Sequence, residues 1–437
     1  MKIHTGRVQT TFDMNIITVH PENIKTILAT NFKDYSLGVR YQQLFPLLGN
    51  GIFTLSGEGW KHSRAMLRPQ FSREQVSQID TLRAHVSQLI HNFKTKSKNG
   101  TEFFDAQVQF HNLTIDTATE FLFGESTDSL ADSDKKVQGP TRLVSATDFA
   151  EHFTAALDVL ALRTHVGPLY WLVDGWKFRN SIDICHNFVT YFVNKALQNP
   201  LEKGTETTGR YVFINELTKE TRDPIVIRDQ AFNILLAGRD TTASLLSFIV
   251  FYLARDKRVW NTLRQAVLEE FGTEVESITF ESLKRCTYLN YVINEVLRLH
   301  PIVPINFRTA IRDTVLPKGG GPDGNDTLFV PKGTKIVYTV YTTQRLKEFW
   351  GEDSEEFRPE RWAEGKSHTW DYLPFNGGPR ICIGQQFALT ETGFTLVRII
   401  QTFKDIIYQG SPSYENLSQW TKLTASVADG VWVSFVE

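Results

Sequence analysis

Apolar positions recur at the 3.6-residue period of a helix over long stretches, roughly 72 to 96, 105 to 123, 180 to 198, 228 to 255, 256 to 271, 287 to 300 and 385 to 402. Helix is the expected main element. Strand patterns are fewer: Gly6 to Val19, Val303 to Thr314, Thr334 to Tyr341, and the closing TASVADGVWVSFV, where Asp429-Gly430 is a hairpin turn signal. Within the first of these, Asn15 to Val19 alternate as a strand, and His20-Pro21 lead into a helix whose first turn carries Glu22. Charged or Gly-rich stretches at Lys96 to Gly100, Glu202 to Gly209 and Lys318 to Asp326 read as surface loops. No internal repeat and no linker divides the chain. The expected architecture is mainly α with a small β portion, one domain over residues 1–437.

Composition narrows the chemistry. Lys+Arg 47 against Asp+Glu 49 gives a net charge of -2, which offers no reason to expect a nucleic-acid partner. Cys185, Cys286 and Cys382 lie far apart and form neither a disulfide framework nor a CxxC pair, so a reducing compartment is the default and zinc fingers or iron–sulfur clusters are not expected. No apolar run reaches the roughly 18 residues of a membrane span. The longest candidate, LLSFIVFYLA at 245 to 254, reads as a buried helix, and the first residues lack a signal-peptide pattern. GGGPDG at 319 to 324 matches GxGxxG in letters only. Pro322 and Asp323 sit inside it and an extended LFVPKG follows, whereas a dinucleotide site needs a helix N-terminus there; the stretch reads as a hairpin loop.

Four short stretches carry candidate chemistry. In FNGGPRICIG, 375 to 384, Gly377, Gly378 and Gly384 remove side chains around Cys382, which lets the backbone turn sharply and lie close to something flat. The helix that follows places exposed amides and a dipole at the sulfur, and Arg380 adds a cation; both favour a thiolate. Alone, Cys382 reads equally well as a small buried hydrophobe. In AGRDTT, 237 to 242, Gly238 costs a helix interior about 1 kcal/mol against alanine. Thr241 can bond the carbonyl of Ala237 and leave a polar notch, although a helix that merely tolerates the glycine fits as well. Glu295 and Arg298 in NEVLRLHP stand at i and i+3, a pair that on a surface is worth under about 1 kcal/mol. Trp60 and Arg64 in WKHSR share a helix face and are both N–H donors; alone they read as a surface cation–π pair.

Together these stretches are similar to the signatures of the cytochrome P450 superfamily, in that family's order, from residue 60 to 384. Phe375, Gly378, Arg380, Cys382 and Gly384 match the haem-binding motif, in which the cysteine is the proximal thiolate ligand of haem b (iron protoporphyrin IX). The resemblance implies that Phe375 packs beside the ligand loop and that Arg380, Trp60, Arg64 and Arg308 of INFRTA serve the haem propionates. It makes Asp240 and Thr241 the acid–alcohol pair that relays protons during dioxygen activation. Glu295 and Arg298 become an ExxR element locked to Arg361 of FRPERW, a folding device rather than a catalytic one. GIFTLSGEGWKHSRAMLRPQFS, LTIDTATEFLFG, INELT and LPKGGGPDG resemble the fungal subgroup that hydroxylates n-alkanes and fatty acids.

By that resemblance the protein inserts one oxygen atom of dioxygen into a C–H bond of a lipophilic aliphatic substrate: a fatty acid, an alkane or a fatty-acyl-like intermediate of a secondary metabolite. Phe232, Leu236 and Ala237, Val303 and Ile305, and Leu423 to Ala425 are candidates for an apolar substrate pocket, and equally for core. Electrons are expected from an NADPH-dependent flavoprotein reductase on the cysteine side. Rival readings are a haem-thiolate isomerase or peroxygenase, which usually departs from the acid–alcohol pair kept here; a cysteine hydrolase, for which no signature places a histidine; and a shortened haem protein with lost activity. Relatives begin with a membrane anchor, a Pro-rich hinge and an early helix, whereas this sequence opens at the first strands. The family implies the endoplasmic-reticulum membrane; the sequence as it stands fits either a trimmed or shortened gene product or an anchorless form, for which a cytoplasmic or peripheral site is the alternative.

Overall fold

A computed structural model of the chain describes residues 4–9, 14–73, 79–131, 134–201, 211–410 and 417–437. Helix dominates, as the apolar period predicts. The helices run Asp80–Ser97, Ala106–Phe123, Trp176–Gln198, Pro224–Arg255, Lys257–Phe271, Thr287–Leu299 and Gln385–Thr402. Pro224–Arg255 is the central one. Pro224 stands in its first turn, and the Asp223 carboxylate accepts from the amides of Ile225 and Val226, so an N-cap and a proline fix where it starts. Its segment Ala243 and Leu245 to Ala254 packs with Phe93, Trp260, Leu297, Phe394 and Phe435 in one core. Ile227, Ala231, Phe232, Ile234 and Leu235 pack with Phe149, Phe153, Phe188, Phe192 and Phe213 in a second. Among the described residues this helix alone is long and apolar enough to cross a membrane, and 72% of its apolar window is buried inside the fold.

Several helices lie outside the periodic stretches, among them two that pack together. Arg40–Leu48 and Ala146–His165 pack on one another through Arg163, a fully charged residue on a core-facing position. Arg163 donates to the carbonyls of Gln42 and Gln43 at 2.7 Å each and pairs with Asp174. A buried charge and alanines on every face blur the apolar stripe on which the expectation rests.

The strands form a five-stranded sheet in the order Thr5–Gln9, Met14–Thr18, Lys335–Thr339, Ile305–Ala310, Tyr35–Ser36, and several smaller sheets. Lys335–Thr339 runs parallel to Met14–Thr18 and antiparallel to Ile305–Ala310, with Ile336 opposite both Ile16 and Arg308. The strand expected over Val303 to Thr314 splits, because Thr314–Gly320 turns away to pair with Asp326–Val330 around the GGGPDG loop. The closing segment is not a hairpin. Ala425–Val427 pairs with Gln419–Thr421, while Trp432–Val436 pairs with Asp405–Tyr408 and Phe104–Asp105. Asp105 accepts from the Val431 amide at 2.8 Å and leaves no room for a side chain at Gly430, so the turn is tied to a third segment. The Glu202 to Gly209 loop, residues 74–78 of the helix expected from 72, and residues 10–13 of the first strand pattern lie outside the described residues.

Glu295 and Arg298 are fully buried, not on a surface. Arg298 makes a two-pronged contact with Glu295, at 2.9 Å on each oxygen, and Arg361 donates to Glu295 Oε1 at 2.8 Å. The Trp362 indole at 3.1 Å and the Arg358 amide at 3.0 Å complete the carboxylate's partners. Arg298 also donates to the carbonyls of Gln344, Ser354 and Glu356. Removing one partner of such a buried group costs far more than a surface pair is worth. Glu295→Gln is expected to lower unfolding free energy by about 3–5 kcal/mol, read by denaturant titration; a loss under about 1 kcal/mol would return the pair to the surface class.

Candidate active site

Between Asp229 and Ala254 the central helix is buried except at one place. Leu236, Ala237, Gly238, Asp240 and Thr241 are only partly covered, while their neighbours Leu235 and Ala243 are fully buried. A Cβ at Gly238 would meet only the Cβ of Ala118, at 3.8 Å. Thr241 Oγ1 donates to the Ala237 carbonyl at 2.6 Å, the back-bond expected from the sequence. Asp240 pairs with Arg239 at 3.3 Å and lies 3.7 Å from Nδ1 of His111 on the neighbouring helix Ala106–Phe123. Burial pulls the His111 imidazole down to about 4, with Asp240 opposing.

The cysteine loop is closed by the Cys382 amide donating to the Phe375 carbonyl at 2.9 Å, and Phe375 packs on the first core. Cys382 is nonetheless accessible, unlike Cys185 and Cys286. The reason for the paired glycines differs from the expectation. Gly378 has φ +66 and a Cβ there would lie 1.9 Å from the Leu28 carbonyl oxygen, while one at Gly377 would meet Trp370 at 2.8 Å. These two glycines let the loop dock on protein; only Gly384, with Phe71 at 3.7 Å, has open room. The thiol also departs from expectation. Although the side chain is accessible to solvent, the protein atoms crowded around it desolvate the sulfur and push the thiol up, and the Gly384 amide and the Arg64 guanidinium only partly offset this. Arg380 is not the cation that acts on the sulfur: it donates to the carbonyls of Ile52 and Leu55. A metal ion as partner would favour the thiolate here.

Arg380 belongs instead to a group of cations. Its guanidinium lies 4.4 Å over the Trp60 ring, with that of Arg64 at 5.9 Å from the same ring. Burial, then repulsion from Arg308, Arg40 and Arg64, pulls Arg380 down to about 9. Among the described residues none of Arg40, Arg64, Arg308 and Arg380 has a carboxylate partner within ion-pair distance. The Arg308 Nε is buried without any acceptor. No group of three or more His, Cys, Asp or Glu is placed to hold a metal among the described residues. A single sulfur and a set of guanidinia lacking anions suit a metal that brings most of its own ligands on an anionic carrier, and the two propionates of haem b would supply the missing charge.

Of the substrate-pocket residues, Phe232 is fully buried in an aromatic group with Phe153 and His186 and so belongs to the core. Leu236 and Leu423 are partly buried at the edge of that core, as is Ile383 beside the cysteine. Val303 and Ile305 are exposed apolar side chains. Three site residues were missed from sequence. His111 and Arg40 reach the site from segments with no motif. Glu391, a carboxyl amid apolar residues of the cysteine helix, was legible as a charge inside a hydrophobic run. Burial raises it to about 7, against the hydrogen bond from Thr117 Oγ1 at 2.6 Å.

An accessible cysteine at the start of one helix, beside a cationic rim, and a break in the burial of another, with Ile383 and Leu236 bordering one core, are the features of a haem-thiolate protein. The chain belongs to the cytochrome P450 family, whose model matches residues 5–425. It is 56% identical over 447 residues to cytochrome P450 52E1 of Candida apicola, covering 100% of this chain and 85% of that relative. It is 57% identical to cytochrome P450 52-E3 of Starmerella bombicola and 51% to cytochrome P450 52A3-A of Candida maltosa, with 96% of this chain aligned in each case and 82% and 80% of those relatives. Members of the family bind haem and act as monooxygenases, so the chain is an oxidoreductase that uses dioxygen and externally supplied electrons on lipophilic substrates.

Two expectations follow from the geometry. Gly238→Ala should leave stability unchanged or raise it by up to about 1 kcal/mol in thermal unfolding; a destabilised variant would show that the glycine serves packing. Glu391 holds its proton above the value of 4.5 it has when unfolded, so its contribution is present below that pH and is lost as pH rises toward about 7. Glu391→Gln should remove that decline and exceed the parent at pH 8 by up to about 3 kcal/mol, measured by urea unfolding across the range.

Proposed function

We propose that the chain hydroxylates an aliphatic C–H bond of a fatty acid or n-alkane, with Cys382 as the axial ligand of haem iron and an NADPH-dependent flavoprotein reductase as electron source. The observation that carries this reading is the break in burial at Leu236 to Gly238, Asp240 and Thr241, within the stretch of the central helix from Asp229 to Ala254 that is otherwise buried and borders the core that Ile383 also borders. Haem supplies dioxygen binding and the redox chemistry when bound. The chain's own residues supply the rest. Trp60, Arg64, Arg308 and Arg380 offer N–H donors to the propionates. Thr241, held by the Ala237 carbonyl, presents a hydroxyl at the break, and Asp240 beside it can pass a proton from the Arg239 and His111 side. Leu236, Ala237, Val303, Ile305 and Leu423 favour an aliphatic chain over a polar substrate, since apolar lining fits an apolar ligand. The resemblance to fungal alkane and fatty-acid hydroxylases supports the substrate class and an endoplasmic-reticulum site of action.

The test is spectroscopic first. The reduced, carbon monoxide-bound protein should show a thiolate-type haem band that disappears in Cys382→Ala; a band indifferent to that substitution would sink the ligand assignment. With reductase and NADPH, Thr241→Ala should still consume NADPH while product per NADPH falls by ~10²-fold, the scale of positioned proton transfer. Unchanged coupling in that variant would remove Thr241 from the relay.

A further inference from the structure

Pro301 stops the helix Thr287–Leu299, and the residue before it, His300, turns its side chain into the protein, where it is 4% exposed. Its imidazole stacks on Phe248 of the central helix, with ring centroids 4.4 Å apart and planes 11° from parallel. Nε2 lies 2.8 Å from the Tyr252 hydroxyl, one turn further along that helix, and Nδ1 lies 3.1 Å from Gln419 Oε1. An amide oxygen accepts and cannot donate, so Nδ1 carries the hydrogen and Nε2 accepts from the tyrosine. Burial, then repulsion from Arg345, pulls His300 down to about 3, so the ring is neutral at ordinary pH and keeps this one pattern of donor and acceptor. A phenyl ring would stack on Phe248 equally well. What the imidazole adds is a donor aimed at a fixed acceptor on another element.

That acceptor opens a hairpin. Gln419–Thr421 pairs with Ala425–Val427, Gln419 opposite Val427 and Thr421 opposite Ala425, with Lys422, Leu423 and Thr424 in the turn. The second strand is tied through its backbone: the Ala425 amide donates to the Ile302 carbonyl at 2.8 Å, and Val427 exchanges two bonds with the Gln107 side chain, at 3.1 and 3.2 Å. The first strand is tied through the Gln419 side chain to His300. At the turn, Lys422 pairs with Asp158 of the helix Ala146–His165 at 2.6 Å, both side chains half exposed. Such a pair is worth under about 1 kcal/mol, so the buried bond at the base does more to fix the hairpin than the ion pair at its tip. Two observations bring the turn to the break in the central helix. Leu423 borders the core that Leu236 also borders. His111 beside Asp240 has its pKa lowered first by burial, and Lys422 is close enough to add to the effect. Phe248 and Tyr252 lie about two and three turns beyond Thr241, on its face of the helix. One helix face therefore carries both the break and the residues that hold His300.

We propose that His300 is a positioning residue for the substrate wall: through Gln419 it sets where the turn carrying Leu423 stands against the break in the central helix, and so which carbon of an alkyl chain is presented for reaction. The choice of carbon rests on the proposed function; the placing of the wall does not. His300→Phe keeps a ring on Phe248 and removes both hydrogen bonds. Gln419→Leu removes the acceptor from the other element, and Gln419→Glu restores an accepting oxygen.

The experiment uses the holoprotein and two readouts. With reductase and NADPH, the positions hydroxylated on hexadecanoate are read by mass spectrometry. Without turnover, imidazole and 1-dodecylimidazole, which both ligate haem iron, are titrated by the haem absorbance change; the ratio of their dissociation constants reports the wall that the alkyl chain meets. His300→Phe and Gln419→Leu should each move product between neighbouring carbons and shift that ratio by about threefold or more, the factor one net hydrogen bond carries. The double variant should add nothing to His300→Phe, since both act through one bond, and Gln419→Glu should return both readouts to those of the parent. Parent-like product positions and a parent-like ratio in His300→Phe overturn the proposal. So do additive effects in the double variant, or an equal weakening of both imidazoles, which would leave His300 a role in folding alone. If the parent forms no hydroxylated hexadecanoate, the substrate class fails, and the imidazole ratio then decides for or against His300. Should His300→Phe not fold, Gln419→Leu, on a partly exposed strand, is judged by the same two readouts.

Discussion

One carboxylate organises the protein below the cysteine. Glu295 accepts five hydrogen bonds, from Arg298 twice, Arg361, the Trp362 indole and the Arg358 amide, at zero exposure. A buried anion with that many donors holds every one of them to a fixed distance, because each broken contact would leave a charge in a dry interior. The helix Thr287–Leu299 is thereby tied to residues 353–362, and Arg298 extends the tie to the carbonyls of Gln344 and Ser354. Gln344 then donates its amide to the carbonyls of Leu297 and Arg298, and its side-chain oxygen accepts from the Leu373 amide, two residues before Phe375. The cysteine loop inherits its position through this sequence of contacts.

The other side of the loop obeys the opposite rule. There the cations outnumber the anions. Glu295 has more donors than it needs, whereas Arg40, Arg64, Arg308 and Arg380 have carbonyls, an amide oxygen and the faces of Trp60, Phe307 and Tyr338 in place of carboxylates. Cation–π contacts and neutral acceptors lessen the cost of crowding four guanidinia but do not cancel it. Under the proposed function, an anionic cofactor at this rim would be a structural member as well as a reagent, since its propionates would relieve a repulsion that the folded chain carries within itself. The net charge of -2 for the whole sequence conceals this, because the imbalance is local.

Local signals were therefore the legible ones. Gly238, Thr241 and the i, i+3 pair Glu295 and Arg298 declare themselves within one helix, and the helical period locates seven long elements to within a turn or two at most ends. What the sequence could not disclose depends on a distant partner. Gly378 is glycine because of the Leu28 carbonyl, 350 positions earlier, and not because of a ligand. The Asp429-Gly430 turn joins strands of two different sheets because Asp105 caps it. Arg163 hides a helix by standing where an apolar residue was expected, and Arg40 looks like a surface cation until Asn306 is placed against it. Sequence periodicity speaks for what a residue does to its own element, while burial and charge pairing are settled between elements.

The same distinction bears on the proposed proton relay. Asp240 and Thr241 are neighbours in sequence, but the surroundings of Asp240 are set jointly by its own helix and by residues other helices bring to it. Arg239, at 3.3 Å, is its one cationic partner of fixed charge, and Arg239 is itself drawn away by Thr154 Oγ1 at 2.6 Å. His111, at 3.7 Å, has its pKa pulled down to about 4 by burial and is therefore neutral at ordinary pH. Its Nδ1 has no hydrogen-bond partner. The desolvation that would make His111 costly as a cation is what suits it to stand next to Asp240.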